Sequence, residues 1–257
     1  MSETTYSLHC DQCEQTARGQ CCEIGEKPGV CGKDADVESL QKILLYGLKG
    51  MAAYAHHARR LGWTDESVSA FIEEALFATV TNVNFDVPTL LEMVLECGRK
   101  NLRVMELLET AHIERFGKPE PCTVAEGTRA GPGILVTGHD MLDLHDLLKQ
   151  CEGTDVKVYT HGEMLPAHGY PMLAKHPNLA GHYGDAWQKQ KKEFAAFPGP
   201  VVATTNCVLI PPESYADRLY STRATAVPGG KRITDGDFSA VIAQAKALPA
   251  CEENIIK

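Results

Sequence analysis

The chain has 257 residues, of which 44% are hydrophobic and 23% charged, and its formal net charge is −9. This composition excludes global disorder and provides enough apolar material for a sizeable core. A net negative charge without a basic patch argues against nucleic-acid binding. No apolar run reaches the roughly 18 residues that a membrane span needs. The polar N-terminus has no secretory pattern, so we expect a cytoplasmic protein.

The first half of the chain predicts a cysteine-bearing loop followed by helices. Residues 1–36 contain a cysteine cluster interspersed with glycine and proline, which predicts a loop whose conformation depends on the group it binds. From residue 37 to residue 116 apolar residues recur at three- and four-residue steps, which predicts a three-helix bundle. Thr64 and Asp86 are the expected caps of the second and third helices. The expected inner face of the third helix comprises Leu91, Val94, Gly98, Leu102, Met105 and Leu108.

The second half predicts a parallel α/β unit. Residues 117–133 have the composition of a linker. Beyond them, short β-type runs alternate with helical stretches, and this alternation is typical of a Rossmann-like parallel sheet over residues 133–257. The β-type runs are Ile134–Thr137, Val156–Thr160 and Pro200–Thr205, and the helical stretches are Met141–Gln150 and Ala186–Phe194. We therefore predict two domains, residues 1–130 and residues 131–257.

Ten cysteines are the unusual feature of the composition. In a reducing compartment such a density favours metal binding over disulfides. Cys10 and Cys13 form a C-x2-C clip, Cys22 follows after eight residues and Cys31 after eight more. Four thiolates suit a tetrahedral zinc ion or an iron–sulfur cluster, and the single tight pair favours the cluster. Unrelated buried cysteines are the alternative, and either Cys21 or Cys22 is not needed as a ligand.

Each of the three predicted strands is followed by a side chain that can bind a metal. His139 follows the first strand, Glu163 the second and Cys207 the third. Since sites in open parallel sheets lie beyond the carboxyl ends of the strands, the three could converge. Their imidazole, carboxylate and thiolate groups suit a centre bound partly by sulfur and partly by oxygen. Taken singly, each has an ordinary alternative as a capping or buried structural residue.

Four long segments resemble the hybrid cluster proteins, also called prismane proteins or hydroxylamine reductases. They are HCDQCEQTARGQCCEIGEKPGVCGK at 9–33, GILVTGHDMLDLHDLL at 133–148, YTHGEMLPAHGYPML at 159–173 and GHYGDAWQKQKKEFAAFPGPVVATTNC at 181–207. Together they extend over nearly the whole chain.

The resemblance implies two metal centres. It implies a [4Fe-4S] cluster on Cys10, Cys13, Cys22 and Cys31, which selects Cys22 over Cys21 as the third ligand. It also implies that His139, Glu163 and Cys207 bind a hybrid [4Fe-2O-2S] cluster. The activity implied is reduction of hydroxylamine to ammonia, with nitric oxide as a further substrate. An electron donor protein would be the partner, and neither nucleic acid nor a membrane is expected.

The chain departs from the family pattern in its extent. Family members have a second α/β domain that supplies further ligands to the hybrid cluster, and only three of those ligands fall within this chain. The single helical bundle corresponds to the short-form branch. We therefore predict an oxidoreductase represented by its N-terminal half, incomplete as this chain alone. Three alternatives stay open: an electron-transfer or scaffold subunit completed by a partner chain, a non-catalytic zinc module, and a carbon monoxide dehydrogenase-like protein.

Overall fold

The computed structural model describes residues 8–13 and 22–256. The role expected for Cys21 therefore lies outside the described residues. The chain forms two compact units, Met1–Ala111 and His112–Lys257. The domain limits 1–130 and 131–257 stay a prediction. No helix in the described ranges is long and apolar enough to cross a membrane.

The predicted three-helix bundle is confirmed. Its helices are α1 (Ala35–Arg60), α2 (Glu66–Ala78) and α3 (Val87–Phe116). Aspartates accept hydrogen bonds from first-turn amides, at 2.9 Å in α1 and 3.0 Å in α2. The α2 cap is Asp65, one residue after the predicted Thr64, whereas Asp86 caps α3 as expected through the amide of Thr89 at 2.9 Å. These caps satisfy amides that have no partner within the helix.

The predicted inner face of α3 is wrong in part: Val94 packs against the core, but the fully buried side chains lie one residue before predicted positions. Leu91 and Met105 are about half exposed and Leu102 is 63% exposed, whereas Leu90, Val104 and Leu107 are buried. Both sets follow the helical period, so α3 has two neighbouring apolar stripes, and the period alone does not distinguish them. The core of the first unit comprises Leu44, Leu48, Met51, Val68, Phe71, Ala75, Cys97 and Val104.

The cysteine segment contains regular structure where a loop was predicted. Strand β1 (Leu8–Cys10) pairs antiparallel with β2 (Cys22–Ile24). Such short strands carry too few residues for an alternating pattern to be recognised. The pairing sets Cys10 directly opposite Cys22.

The second unit is built on one mostly parallel eight-stranded sheet, which confirms the predicted fold class. The sheet order is β10-β3-β6-β5-β4-β7-β8-β9, and within it only β10 and β3 pair antiparallel. The strands are β3 (Glu126–Thr128), β4 (Gly133–Thr137), β5 (Lys157–His161), β6 (Leu179–His182), β7 (Val201–Ala203), β8 (Leu219–Thr222), β9 (Lys231–Ile233) and β10 (Asn254–Ile256). The helices are α4 (Met141–Cys151), α5 (Pro171–Ala174), α6 (Gln190–Ala196), α7 (Glu213–Ala216) and α8 (Ser239–Ala247). Strand β3 lies within the segment predicted as a linker, which corrects that prediction.

The centre of this sheet determines where the site forms. Strand β4 is buried along its whole length, between β5 and β7. Thr137 at its carboxyl end pairs with His161 of β5 and with Ala203 of β7. The carboxyl ends of the three strands therefore lie side by side, and the residues that follow them are neighbours.

Candidate metal centres

The first candidate centre is a recess in the N-terminal unit. Its lining includes Cys10, Cys13, Cys22 and Cys31, together with Lys33. None of the nine cysteines within the described ranges is in a disulfide. Four thiols around one recess fit an iron–sulfur cluster, since such clusters are bound by cysteine thiolates.

Local backbone geometry brings these cysteines together. The β1–β2 pairing sets Cys10 opposite Cys22. A tight turn presents Cys31, because the Gly29 amide donates to the Lys33 carbonyl at 2.8 Å and the Gly32 amide donates to the Gly29 carbonyl at 2.8 Å. Gly32 has a φ of 90°, a conformation in which glycine carries no steric penalty.

The second candidate centre lies at the carboxyl edge of the sheet. One ligand atom each from His139, Glu163 and Cys207 lies within 4.8 Å of the others. Nε2 of His139 is in direct contact with Oε2 of Glu163. The three side chains expected to converge are thus close together, and their role as metal ligands stays a prediction.

His139 is held by the end of the neighbouring strand. The Thr205 hydroxyl oxygen accepts from the His139 amide at 2.9 Å and lies 2.8 Å from Nδ1 of the ring. A histidine that binds a metal through Nε2 carries its proton on Nδ1 and donates it to such an acceptor. Gly138 permits the close approach, because a Cβ there would lie 2.5 Å from Oγ1 of Thr204 and its φ is 105°.

Glu163 stands at the start of a 3-10 helix, Gly162–Gly169, immediately after β5. His161, two residues before Glu163, is buried, and both nitrogens of its ring have a hydrogen-bonding partner. Nδ1 lies 3.1 Å from Oγ1 of Thr137, and Nε2 lies 2.9 Å from Oε2 of Glu193. The turn that carries Glu163 is therefore anchored to the end of β4 and to α6. Burial lowers the pKa of His161, against an opposing effect of Glu193.

Cys207 adopts a left-handed backbone conformation, with a φ of 65°. A non-glycine residue in this region costs about 1–3 kcal/mol, so the surroundings must impose it. Gln190 does so, because its amide donates to the Cys207 carbonyl at 2.7 Å and its oxygen accepts from the Leu209 amide at 2.9 Å. Burial and the charge of Glu163 raise the pKa of the Cys207 thiol.

Sequence reasoning missed these supporting residues. Thr205, His161 and Gln190 touch the candidate ligands or their turns. All three lie within the segments that carry the family resemblance, but nothing in their residue types or spacing indicates which side chain they support. Behind them, the Thr160 hydroxyl lies 2.9 Å from Nε2 of His168 and 2.8 Å from Nδ1 of His182. Burial lowers the pKa of His182 to about 4, and the neighbouring histidines add to this effect. These contacts join β5 to the 3-10 helix and to β6.

Comparisons with known proteins identify the family of the chain. The model of the Prismane/CO dehydrogenase family matches residues 8–94 and 86–256. The chain belongs to this family. A protein of Moorella thermoacetica named hydroxylamine reductase is 58% identical over 246 residues, and one of Thermotoga maritima with the same name is 51% identical. The recognition of the hybrid cluster protein family is therefore confirmed.

The matches differ in extent. The two alignments cover 96% of this chain but 57% and 56% of the relatives, so the chain spans little more than half their length. Among solved structures, carbon monoxide dehydrogenase IV from Carboxydothermus hydrogenoformans superposes with a TM-score of 0.70 at 15% identity, over 93% of this chain and 54% of that one. At this identity the likeness shows the shared fold alone.

Proposed function

We propose that this chain forms the N-terminal part of a hydroxylamine reductase-type oxidoreductase. The observation that carries the proposal is the meeting of His139, Glu163 and Cys207 within 4.8 Å at the carboxyl edge of the sheet. Nitrogen, oxygen and sulfur donors at one point suit a mixed iron–sulfur–oxygen centre. Relatives at 58% and 51% identity carry the name hydroxylamine reductase, which supports this choice of chemistry.

In this proposal the two sets of residues have separate tasks. Cys10, Cys13, Cys22 and Cys31 hold a [4Fe-4S] cluster that takes electrons from a donor protein in the cytoplasm. His139, Glu163 and Cys207 hold one side of a hybrid [4Fe-2O-2S] cluster.

A bound hybrid cluster supplies electrons and an electrophilic iron that polarises the N–O bond. The overall reaction is NH2OH + 2 e⁻ + 2 H⁺ → NH3 + H2O. The chain's own contribution is orientation. Thr205 directs the ring of His139, and Gln190 holds Cys207 in the conformation that presents its sulfur. Nitric oxide is the second small nitrogenous substrate that the proposal admits.

An electron-transfer or scaffold subunit is the second candidate. It is favoured by the number of donors at the second centre, where three side chains from the described ranges come together. Four irons with roughly tetrahedral coordination need more protein donors than three. In this candidate the N-terminal cluster forms on the chain, and a partner chain completes the hybrid site.

The test compares the chain alone with a chimera that adds the C-terminal part of the Moorella thermoacetica relative. Both are loaded anaerobically with iron and sulfide, and metal content and hydroxylamine-dependent ammonium formation are measured. We expect one conventional cluster and little turnover for the chain alone, and both centres with turnover for the chimera.

Glu163→Gln in the chimera should abolish turnover, whereas Glu213→Gln, at an exposed carboxylate of the same unit, should not. A chimera that holds both centres without turnover would favour the scaffold role. Zinc in place of iron would contradict both.

A further inference from the structure

Lys33 is a buried lysine beside the N-terminal cysteines. Its side chain is 2% exposed, and it lines the same recess as Cys10, Cys13, Cys22 and Cys31. Lysine is among the residues that are almost never fully buried unless they are paired. The position therefore calls for partners that compensate the loss of water.

The partners of Lys33 come from α1. Its Nζ lies 2.6 Å from Oε2 of Glu38, whose side chain is 1% exposed, and it donates to Oε1 of Gln41 at 3.0 Å. The carboxylate of Glu38 is thus the buried counter-ion that compensates the ammonium group of Lys33 for its loss of water. The pairing with Glu38 favours the charged form of Lys33. Cys10 lines the same recess as Lys33.

Glu38 is shared with a second lysine, because Nζ of Lys42 lies 3.2 Å from its other oxygen. Lys42 also donates to the His9 carbonyl at 2.5 Å, and its side chain is 39% exposed. Lys33 lines the recess, whereas Glu38 and Lys42 do not, so the positive charge of Lys33 is the one presented to the recess.

A buried cation beside a cluster acts on its redox equilibrium. Reduction adds one electron and hence one negative charge to the cluster and its four thiolates. A fixed positive charge and an N–H donor at a ligand sulfur stabilise the more negative state more strongly, and hydrogen bonds to the sulfurs are among the factors that set cluster potentials. Because the group is shielded from solvent, counter-ions screen this effect little.

We propose that Lys33, held by Glu38 and Gln41, is a positioning residue that raises the reduction potential of the iron–sulfur cluster on the N-terminal cysteines. The proposal rests on the cluster assignment made above. It adds a specific role for a charged side chain that is not itself a ligand.

The experiment measures the midpoint potential of the N-terminal cluster in the full chain, loaded anaerobically with iron and sulfide, by redox titration followed by electron paramagnetic resonance. Lys33→Met should lower the equilibrium constant for reduction about tenfold, equivalent to about 59 mV for a one-electron couple. Lys42→Met is the matched control, since it removes a cation from the same carboxylate at a partly exposed position. It should change the constant less than about twofold, because water already screens that charge.

Glu38→Gln tests the same proposal in the opposite direction. It removes the negative charge 2.6 Å from Nζ of Lys33, so the potential should rise. An unchanged or higher potential in Lys33→Met would overturn the proposal. If Lys33→Met holds no cluster, the test rests on Glu38→Gln. An unchanged or lower reduction potential of the cluster in Glu38→Gln would then overturn the proposal. Loss of the cluster in both variants would make the pair a purely structural element, again against the proposal. A wild-type chain without iron would instead contradict the cluster assignment itself.

Discussion

Thr205 offers the sharpest test of the second metal centre, because its single hydroxyl orients His139. Replacing Thr205 with valine keeps the side-chain shape and removes two contacts, the hydrogen bond from the His139 amide at 2.9 Å and the contact with Nδ1 at 2.8 Å. Each such hydrogen bond contributes about 1 kcal/mol net. The expected loss of stability is therefore about 2 kcal/mol. Because the contact with Nδ1 orients the ring, metal affinity should also fall, by about 10- to 100-fold, as is typical for groups that orient metal-bound histidines.

The assay uses Co²⁺ as a probe metal, since a cobalt–thiolate bond to Cys207 gives a visible absorption band. The titration is done with the full chain carrying Cys22→Ser and Cys31→Ser, so that the N-terminal cysteines do not compete. Thr154→Val is the matched control. Its hydroxyl donates to the Cys151 carbonyl at 2.7 Å and accepts from the Val156 amide at 3.3 Å, away from the candidate ligands.

Both valine variants should lose similar stability in urea unfolding, because each loses two hydrogen-bonding contacts. Only Thr205→Val should weaken cobalt binding, and Thr205→Ser, which restores the hydroxyl, should recover it. Equal cobalt affinity in Thr205→Val and Thr154→Val would refute the argument that Thr205 orients the ring of His139.

Three further predictions concern the two centres and their support. Cys22→Ser should abolish the visible absorption of the N-terminal cluster, whereas Cys21→Ser should keep it, and the reverse result would contradict the ligand assignment. Gln190→Leu should weaken cobalt binding at least about tenfold, because it releases the strained backbone of Cys207, and an unchanged titration would exclude this role. His182, whose pKa lies near 4 in the folded chain, should make unfolding easier as the pH falls from 6.5 toward 4. The unfolded chain takes up a proton that the folded chain does not, which removes up to about 3 kcal/mol of stability. His182→Gln should flatten this pH dependence in urea unfolding, and an equally steep profile would show that other groups cause it.

Local pattern was sufficient to predict the main elements. The helical period from residue 37 to residue 116 predicted the bundle, and three short apolar runs predicted β4, β5 and β7. The placement of the candidate ligands followed from the same reasoning, because a parallel sheet puts the carboxyl ends of adjacent strands at one edge. His139, Glu163 and Cys207 could therefore be expected together from three positions in the sequence, and they are together.

Tertiary structure decided what the local period leaves ambiguous. In α3 two apolar stripes one residue apart have the same period, and only packing in the bundle selects Leu90 and Val104 over Leu91 and Met105. Strands β1, β2 and β3 have three residues each, too few for an alternating pattern, and their neighbours in the sheets define them.

The supporting contacts of the two centres also depend on the folded chain. Thr205 is 66 positions from His139, and Gln190 is 17 positions from Cys207. In the sequence Lys33 resembles any other polar residue. In the folded chain it is buried, pairs with the Glu38 carboxylate and lines the same recess as Cys10. The sequence by itself determined the candidate ligands, because ligand chemistry belongs to single residue types. Folding alone decided which side chains orient those ligands and which charges surround them, because both depend on distances between residues that are remote along the chain.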